Sequence, residues 1–387
     1  MNIYIDYTAV TELENDIGEF TGAGNYTRDL ISLLEERGVD LKILVHKGFI
    51  PGKRWETEHL SDESCMIRIG DITDISFSEG DVLLLPAVTG RIFLRIKRIR
   101  KRNDKLKIYA VIHDRQHNIK RFDPMDRYFQ EGIFRLLPVL FGRYMIKKLI
   151  YDLLYPFWIG SVDKVFTVSN HTLQALDHKN LKRITCFYQP ASSVKCTPVK
   201  VPGYDEMGEY ILFVSGGRPE KNLGRTLLAF RDFCNEADPD YRLCITGINR
   251  DKLNYIAGKL KLTRDFMEKR VRFYDYLDTG ELAFLYRNCR YVLFLSKGEG
   301  FGLPVLEAVE SGRTVLCSRQ SAMPEVCGSI LYYVDAFSVS SIRDGMIYLN
   351  DDSNLLYREK LVKKKRKIIE EQTELDKLIL EDEVVGE

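Results

Sequence analysis

The residues best suited to chemistry lie in one run, Lys297-Gly298-Glu299-Gly300-Phe301-Gly302-Leu303-Pro304-Val305-Leu306-Glu307-Ala308. It follows the apolar, strand-like stretch Tyr291–Leu295, and its pattern predicts a helix opening near Leu303, with Pro304 suited to the first turn. Glycines 298, 300 and 302 allow a close approach of backbone to ligand. The unpaired N–H groups of a helix start suit a diphosphate. Glu299 falls on the loop and Glu307 in the helix, so the two carboxylates do not pair across one helix face. They reach one crevice at different depths.

A second run, Ser215-Gly216-Gly217-Arg218-Pro219-Glu220-Lys221-Asn222, ends the strand-like stretch Tyr210–Val214. Arg218 and Lys221 after a glycine turn can neutralise negative charge developing on a departing diphosphate. A merely basic helix start has the same residues. Gly22 and Gly24, in Thr21-Gly22-Ala23-Gly24-Asn25-Tyr26, read as a turn between the first strand and a helix. The third glycine of a dinucleotide fingerprint is missing, so a nicotinamide cofactor is not supported. His113 directly follows the stretch Lys107–Ile112, where it can reach a ligand at a sheet edge or serve as a structural histidine. His117 lies four residues on, but Asp114 stands where a zinc-protease HExxH carries glutamate, so no zinc site is expected. Ser169, after Lys164–Val168, lines a strand end or caps a helix.

These residues need elements to hold them. Short apolar runs alternate with helical patterns along the whole chain, the mark of doubly wound parallel sheets. In the first half the runs are Ile3–Asp6, Leu41–Val45, Asp81–Leu85, Lys107–Ile112, Lys164–Val168 and Ile184–Tyr188. The second half has Tyr210–Val214, Tyr241–Ile245, Val271–Tyr274, Tyr291–Leu295 and Thr314–Cys317. The stretch 199–208, with Pro202, Gly203 and Gly208, reads as a linker. The expected division is a first α/β domain over 1–198, a second over 209–353, and a charged helix and tail over 354–387. Ligands of such sheets bind outside the carboxyl ends of the strands, so two Rossmann-like domains would face each other across a cleft.

The pattern of Glu299 and Glu307 around Gly-Phe-Gly-Leu-Pro resembles the donor site of the large family of retaining glycosyltransferases with the GT-B fold, glycosyltransferase group 1, which includes sucrose synthase and many bacterial mannosyl- and glucosyltransferases. The resemblance covers most of the chain and is strongest over Tyr210–Gly328. It implies that Glu299 contacts the donor sugar and Glu307 the ribose. The backbone of Gly300, Phe301, Gly302 and Leu303 would hold the distal phosphate and sugar. Lys221 and Arg218 match the family's phosphate-binding segment, although Arg218 sits closer to the lysine than is usual. The resemblance further implies that Gly22 and Gly24 face the diphosphate, that His113 approaches the sugar near the reacting carbon, and that Ser169 lies on the acceptor side. Asp238-Pro239-Asp240 looks like the metal-binding Asp-x-Asp of the other major glycosyltransferase fold, but it precedes a strand and reads as a turn. The expectation is a retaining, metal-independent hexosyltransferase without a cofactor. It would use GDP-mannose or a UDP-hexose as co-substrate and a saccharide or lipid-linked saccharide as acceptor, in bacterial polysaccharide or glycolipid synthesis. The rivals are a catalytically silent GT-B subunit or chaperone, and a nucleotide-sugar epimerase.

Composition sets further limits. The 57 basic and 56 acidic residues nearly cancel, so nucleic acid is not an expected partner. No secretory signal is read at the N-terminus and no run is apolar enough to span a membrane. The eight cysteines form no CxxC pair, which fits free thiols in a reducing cytoplasm. From Arg91 to Lys107 nine basic residues stand against Asp104, with Ile92, Ile96 and Ile99 at helical spacing. This segment reads as a solvated surface helix, or as a patch for anionic lipid at the inner face of a membrane or for a phosphorylated acceptor. The apolar but charge-broken segment from Phe134 to Trp158 reads as core, as a surface lying on a membrane, or as a cover for a lipid-linked acceptor.

Overall fold

The computed structural model describes residues 2–17, 22–51, 56, 60, 64–87, 90–114, 122–130, 133, 136–176, 184–186, 197–237, 240–275 and 277–364. They fall into two compact units, one within 1–115 and 149–190 and the other within 116–148 and 191–372.

Among the described residues the first unit holds a seven-stranded parallel sheet of β1 (Ile3–Asp6), β2 (Leu41–His46), β3 (Met66–Ile69), β4 (Val82–Leu85), β5 (Lys107–Ile112), β6 (Lys164–Thr167) and β7 (Ile184–Cys186). Its order is β3-β2-β1-β4-β5-β6-β7. The second unit holds β8 (Tyr210–Phe213), β9 (Arg242–Thr246), β10 (Val271–Tyr274), β11 (Val292–Phe294), β12 (Val315–Ser318) and β13 (Tyr332–Val334), ordered β10-β9-β8-β11-β12-β13. All strand pairs are parallel. Sheets covered by helices on both faces need strands apolar on both sides. That is why β1, β4, β8 and β12 are buried along their whole length. The two-sheet α/β fold expected from the alternation is therefore present.

In each sheet the strand order reverses once, between β1 and β4 and between β8 and β11. Connections leave such a switch point in opposite directions and open a crevice beyond the strand ends. In the second unit the core beneath it is Ile211, Phe213, Leu243, Ile245 and Leu293 of the strands, packed against Leu227, Phe230, Ile342 and Met346 of the helices Leu223–Ala237 and Val339–Asn350.

Three sequence expectations change. The turn expected around Gly22 and Gly24 is helical: the helix Gly22–Glu36 begins at Gly22, and Gly24 is buried in its first turn. The apolar stripe of Tyr26, Leu30, Ile31 and Leu34 carries the helix back over both glycines. It is preceded by a further helix, Thr8–Ile17. The segment 199–208, read as a linker, lies on the second unit, where Val199 N–H donates to Gly280 O at 3.0 Å and Tyr274 OH to Pro202 O at 2.9 Å. The segment 122–130, placed by sequence within the first domain, also groups with the second unit. The tail is helical over 352–364; its remainder, like Thr21, His117, Asp238 and Pro239, lies outside the described residues. The seven cysteines among the described residues are free thiols.

Candidate functional site

The loops after β8 and β11 meet at the switch point of the second unit, because the two strands are direct neighbours, with Leu212 opposite Val292 and Phe213 opposite Leu293. After β8 the chain turns through Ser215 at φ 62 and enters the single-turn helix Pro219–Lys221. It ends at Asn222, left-handed at φ 70, whose amide donates to Leu295 O and Ala336 O at 3.2 and 2.6 Å. Glu220 O accepts from Lys297 N–H at 2.8 Å. The two loops are thus zipped together before any ligand arrives.

Lys221 and Glu299 face each other across that zip. The Lys221 ammonium donates to Glu299 Oε1 at 2.6 Å and lies 5.1 Å from the Phe294 ring centre. Ser296 Oγ donates to the same carboxylate oxygen at 2.5 Å. Arg218, at the edge of the loop, is partly exposed and pairs with Glu220 at 3.4 Å. Glu307 is buried in the helix Leu303–Glu310, and Tyr286 OH donates to its Oε2 at 2.8 Å. Burial, with that carboxylate alongside, holds the Tyr286 hydroxyl well above the usual tyrosine range, so it stays a donor.

Gly302 caps the helix in the left-handed region at φ 104, and a Cβ there would stand 2.2 Å from Met323 Cε. This glycine answers to backbone geometry and to Met323 as well as to any ligand. Gly300 and Phe301 are buried beside it, and Leu303 is half-buried at the first helical position.

A second set of charges supports the same loop. Asp123 accepts from Arg225 Nη1 and Nη2 at 2.7 and 2.9 Å and from Lys297 Nζ at 2.8 Å, while Lys297 also pairs with Asp126. The Asp123 and Lys297 side chains are 0% and 2% exposed, while Arg225 and Asp126, at 12% and 15%, border solvent. Burial alone would raise Asp123. The Arg225 guanidinium and the Lys297 ammonium reverse that and hold its carboxyl well below the usual range.

In the first unit His113 stands at the carboxyl end of β5. Its Nε2 lies 2.8 Å from Pro86 O, and Tyr26 meets its ring edge-on at 4.9 Å. A carbonyl only accepts, so Nε2 carries the proton and Nδ1 is left as an acceptor. Burial pushes the imidazole down to about 4, with the Pro86 carbonyl pulling weakly the other way. The folded state therefore keeps His113 neutral at pH values where the unfolded chain, at 6.5, takes up a proton. The stability it contributes is full above 6.5 and declines as pH falls toward about 4, by on the order of 3 kcal/mol. Urea midpoints compared at neutral and acid pH should show a smaller loss in His113→Gln, whose amide can still donate to Pro86 O. Gly22 and Gly24 open the neighbouring helix start. Ser169 is fully buried and caps the short helix Asn170–Ala175, accepting from Thr172 N–H at 3.1 Å. Among the described residues no group of three His, Cys, Asp or Glu is arranged to hold a metal ion.

Residues 199–368 match the family model of glycosyl transferases, group 1. This match falls within the second unit and spans less than half of the chain. All the site residues of that unit named from the sequence, from Arg218 to Glu307, lie inside it. Part of the chain is 31% identical to O-antigen chain mannosyltransferase B of Escherichia coli, over 167 residues that make up 43% of each protein. The chain thus matches less than half the length of that curated relative. The whole fold is similar to sucrose-phosphate synthase of Thermosynechococcus elongatus, with a TM-score of 0.66 at 12% identity over 100% of this chain and 99% of that one. It is likewise similar to Anabaena HepE, solved in complex with UDP and glucose, with a TM-score of 0.65 at 12% identity over 100% of both chains. At that identity the likeness shows the GT-B fold alone.

The sequence named Glu299, Glu307 and Lys221 as separate candidates, and Lys297 and Asn222 as members of the same runs. Ser296, Tyr286, Asp123 and Arg225 belonged to none of those motifs.

Proposed function

We propose that this protein is a retaining glycosyltransferase that moves a hexosyl group from a nucleotide sugar, GDP-mannose or a UDP-hexose, to a saccharide or lipid-linked saccharide. The observation that carries the reading is the meeting of Lys221, Glu299 and the Glu307 helix at the switch point of the second unit. The mannosyltransferase relative favours mannose among the hexoses and bacterial surface polysaccharide as the context, with the reaction in the cytoplasm.

In this reading Glu307 accepts from the ribose hydroxyls, and the N–H groups near Leu303 receive the distal phosphate. Lys221 and Arg218 take up the charge that develops on the diphosphate as the glycosidic bond breaks. A bound cation is not required by this scheme, and the nucleotide sugar is a co-substrate rather than a cofactor. Glu299, held by Lys221 and Ser296, is oriented toward the sugar. The acceptor hydroxyl attacks from the face the diphosphate leaves, and a departing phosphate oxygen takes its proton. His113, with Nδ1 as acceptor, and the Gly22–Gly24 helix start are the proposed contributions of the first unit.

Calorimetry against a panel of nucleotides and nucleotide sugars, without added metal, tests this. One nucleotide family should bind, and Glu307→Ala should weaken it about 30- to 100-fold, the cost of a hydrogen bond to a charged group. Absence of binding by every member would favour the silent subunit. Release of nucleotide with an epimerised sugar and no acceptor would favour the epimerase.

A further inference from the structure

The helix Leu137–Ile159 carries its apolar residues outward. Met145, Ile146, Leu149, Ile150, Leu153 and Phe157 are all exposed, from 46% at Met145 and Ile150 to 77% at Phe157. At about 100° per residue they fill one arc of about 140°. No charged residue falls within that arc. Arg143 and Lys147, both exposed, border one edge and Asp152 the other. Scattered exposed leucines are ordinary, but six on one helix face form a patch that asks for a cover.

We infer that this face lies on an anionic lipid surface, in the plane of the interface. Arg143, Lys147, Lys148 and Asp152 break the apolar stretch, and among the described residues no helix is long and apolar enough to cross a membrane. Insertion to the depth of one side-chain layer remains open to it. The width of the arc argues against pairing with a second copy. Ile146, Ile150, Leu153 and Phe157 alone would make a coiled-coil seam, but Met145 and Leu149 widen the face well beyond one. A second copy would also bring like charges together at the Arg143–Lys147 edge, whereas anionic headgroups complement it.

The basic helix Gly90–Arg102, the sequence's candidate for the same role, has a different build. Its Ile96 and Ile99 are buried, Arg95 and Arg100 pair with Glu12 and Asp163, and Arg102 donates to Thr73 O. It has charge to offer a membrane, but the apolar residues described on it face inward.

Co-sedimentation of the full chain with vesicles of phosphatidylglycerol and phosphatidylcholine in equal parts tests the inference. Binding should exceed that to phosphatidylcholine alone and fall between about 50 mM and about 500 mM salt. The pair Leu149→Glu with Leu153→Glu should reduce it at least about 10-fold, since two inserted side chains are lost. Lys147→Glu should weaken binding chiefly at low salt. The altered residues are exposed, so thermal unfolding should be unchanged and a folding defect is excluded directly. Failure to bind the mixed vesicles, or undiminished binding by the double variant, would overturn the inference. A dimer seen by light scattering, dissolved by the same double variant and indifferent to vesicles, would overturn it in favour of a second copy.

Discussion

Asp123→Ala is expected to lower the unfolding free energy of the second unit by about 3–5 kcal/mol, the cost of leaving buried charge without its partner. Asp123 accepts both guanidinium N–H groups of Arg225 and the ammonium of Lys297, and its carboxylate also caps the turn at Met125 N–H, at 3.1 Å. Alanine removes all four bonds and strands two cations. Asp126 still pairs with Lys297, so Arg225 is the more exposed to the loss. Changing Lys297 to Met in the same chain should recover part of the deficit, because an apolar side chain needs no counter-charge there. The pH dependence has a definite sign. Asp123 titrates below its unfolded value of 3.8, so its contribution is present above that value and lost as pH falls below it. Urea unfolding of wild type, single and double variants at pH 7 and at about pH 3 measures both effects. A single-variant loss below about 1 kcal/mol would mean that the 122–130 segment does not anchor the Lys297 loop.

How much of this could be read from the sequence depends on how locally each feature is written. The central strands announce themselves, since β4, β8 and β11 are unbroken apolar runs, β1 and β5 carry a charge only at one end, and each lies within a residue or two of its expected bounds. Met66–Ile69 was missed because Arg68 interrupts its apolar residues, and Tyr332–Val334 was missed although it lies in the apolar run Ile330–Val334. The glycine turn at Gly22 failed differently: two glycines signal a break, but the long apolar stripe after them outweighs that signal. Glu299 and Glu307 were legible because loop and helix positions within one motif follow from local pattern. The contacts that hold them were not. Lys221 meets Glu299 across 78 residues and Asp123 meets Lys297 across 174. Only the strand order, with β8 beside β11, brings the first pair together, and no spacing rule in a single sequence supplies it.

Lys221→Met should cost about 10²- to 10³-fold in kcat with the donor once identified, while the fold survives. Methionine keeps the length and the contact with Phe294 but removes the cation. If Lys221 meets the diphosphate as the sugar departs, its charge matters more in the transition state than in the bound donor. The loss then falls mainly on kcat, with calorimetric affinity reduced much less. A positioning role has a different signature. If Lys221 served only to hold Glu299, then Glu299→Gln with Lys221→Met should be no worse than Lys221→Met alone, because the carboxylate would already be misplaced. Arginine is not a conservative test at this position. The Lys221 ammonium sits 5% exposed against one carboxylate oxygen, and a planar guanidinium would not fit there without displacing Ser296 or Phe294. Removing the cation leaves Glu299 with the Ser296 hydroxyl, so a stability loss of about 1–3 kcal/mol should accompany the kinetic one. Activity and affinity both within about 3-fold of wild type would show that this cation does not meet the leaving group.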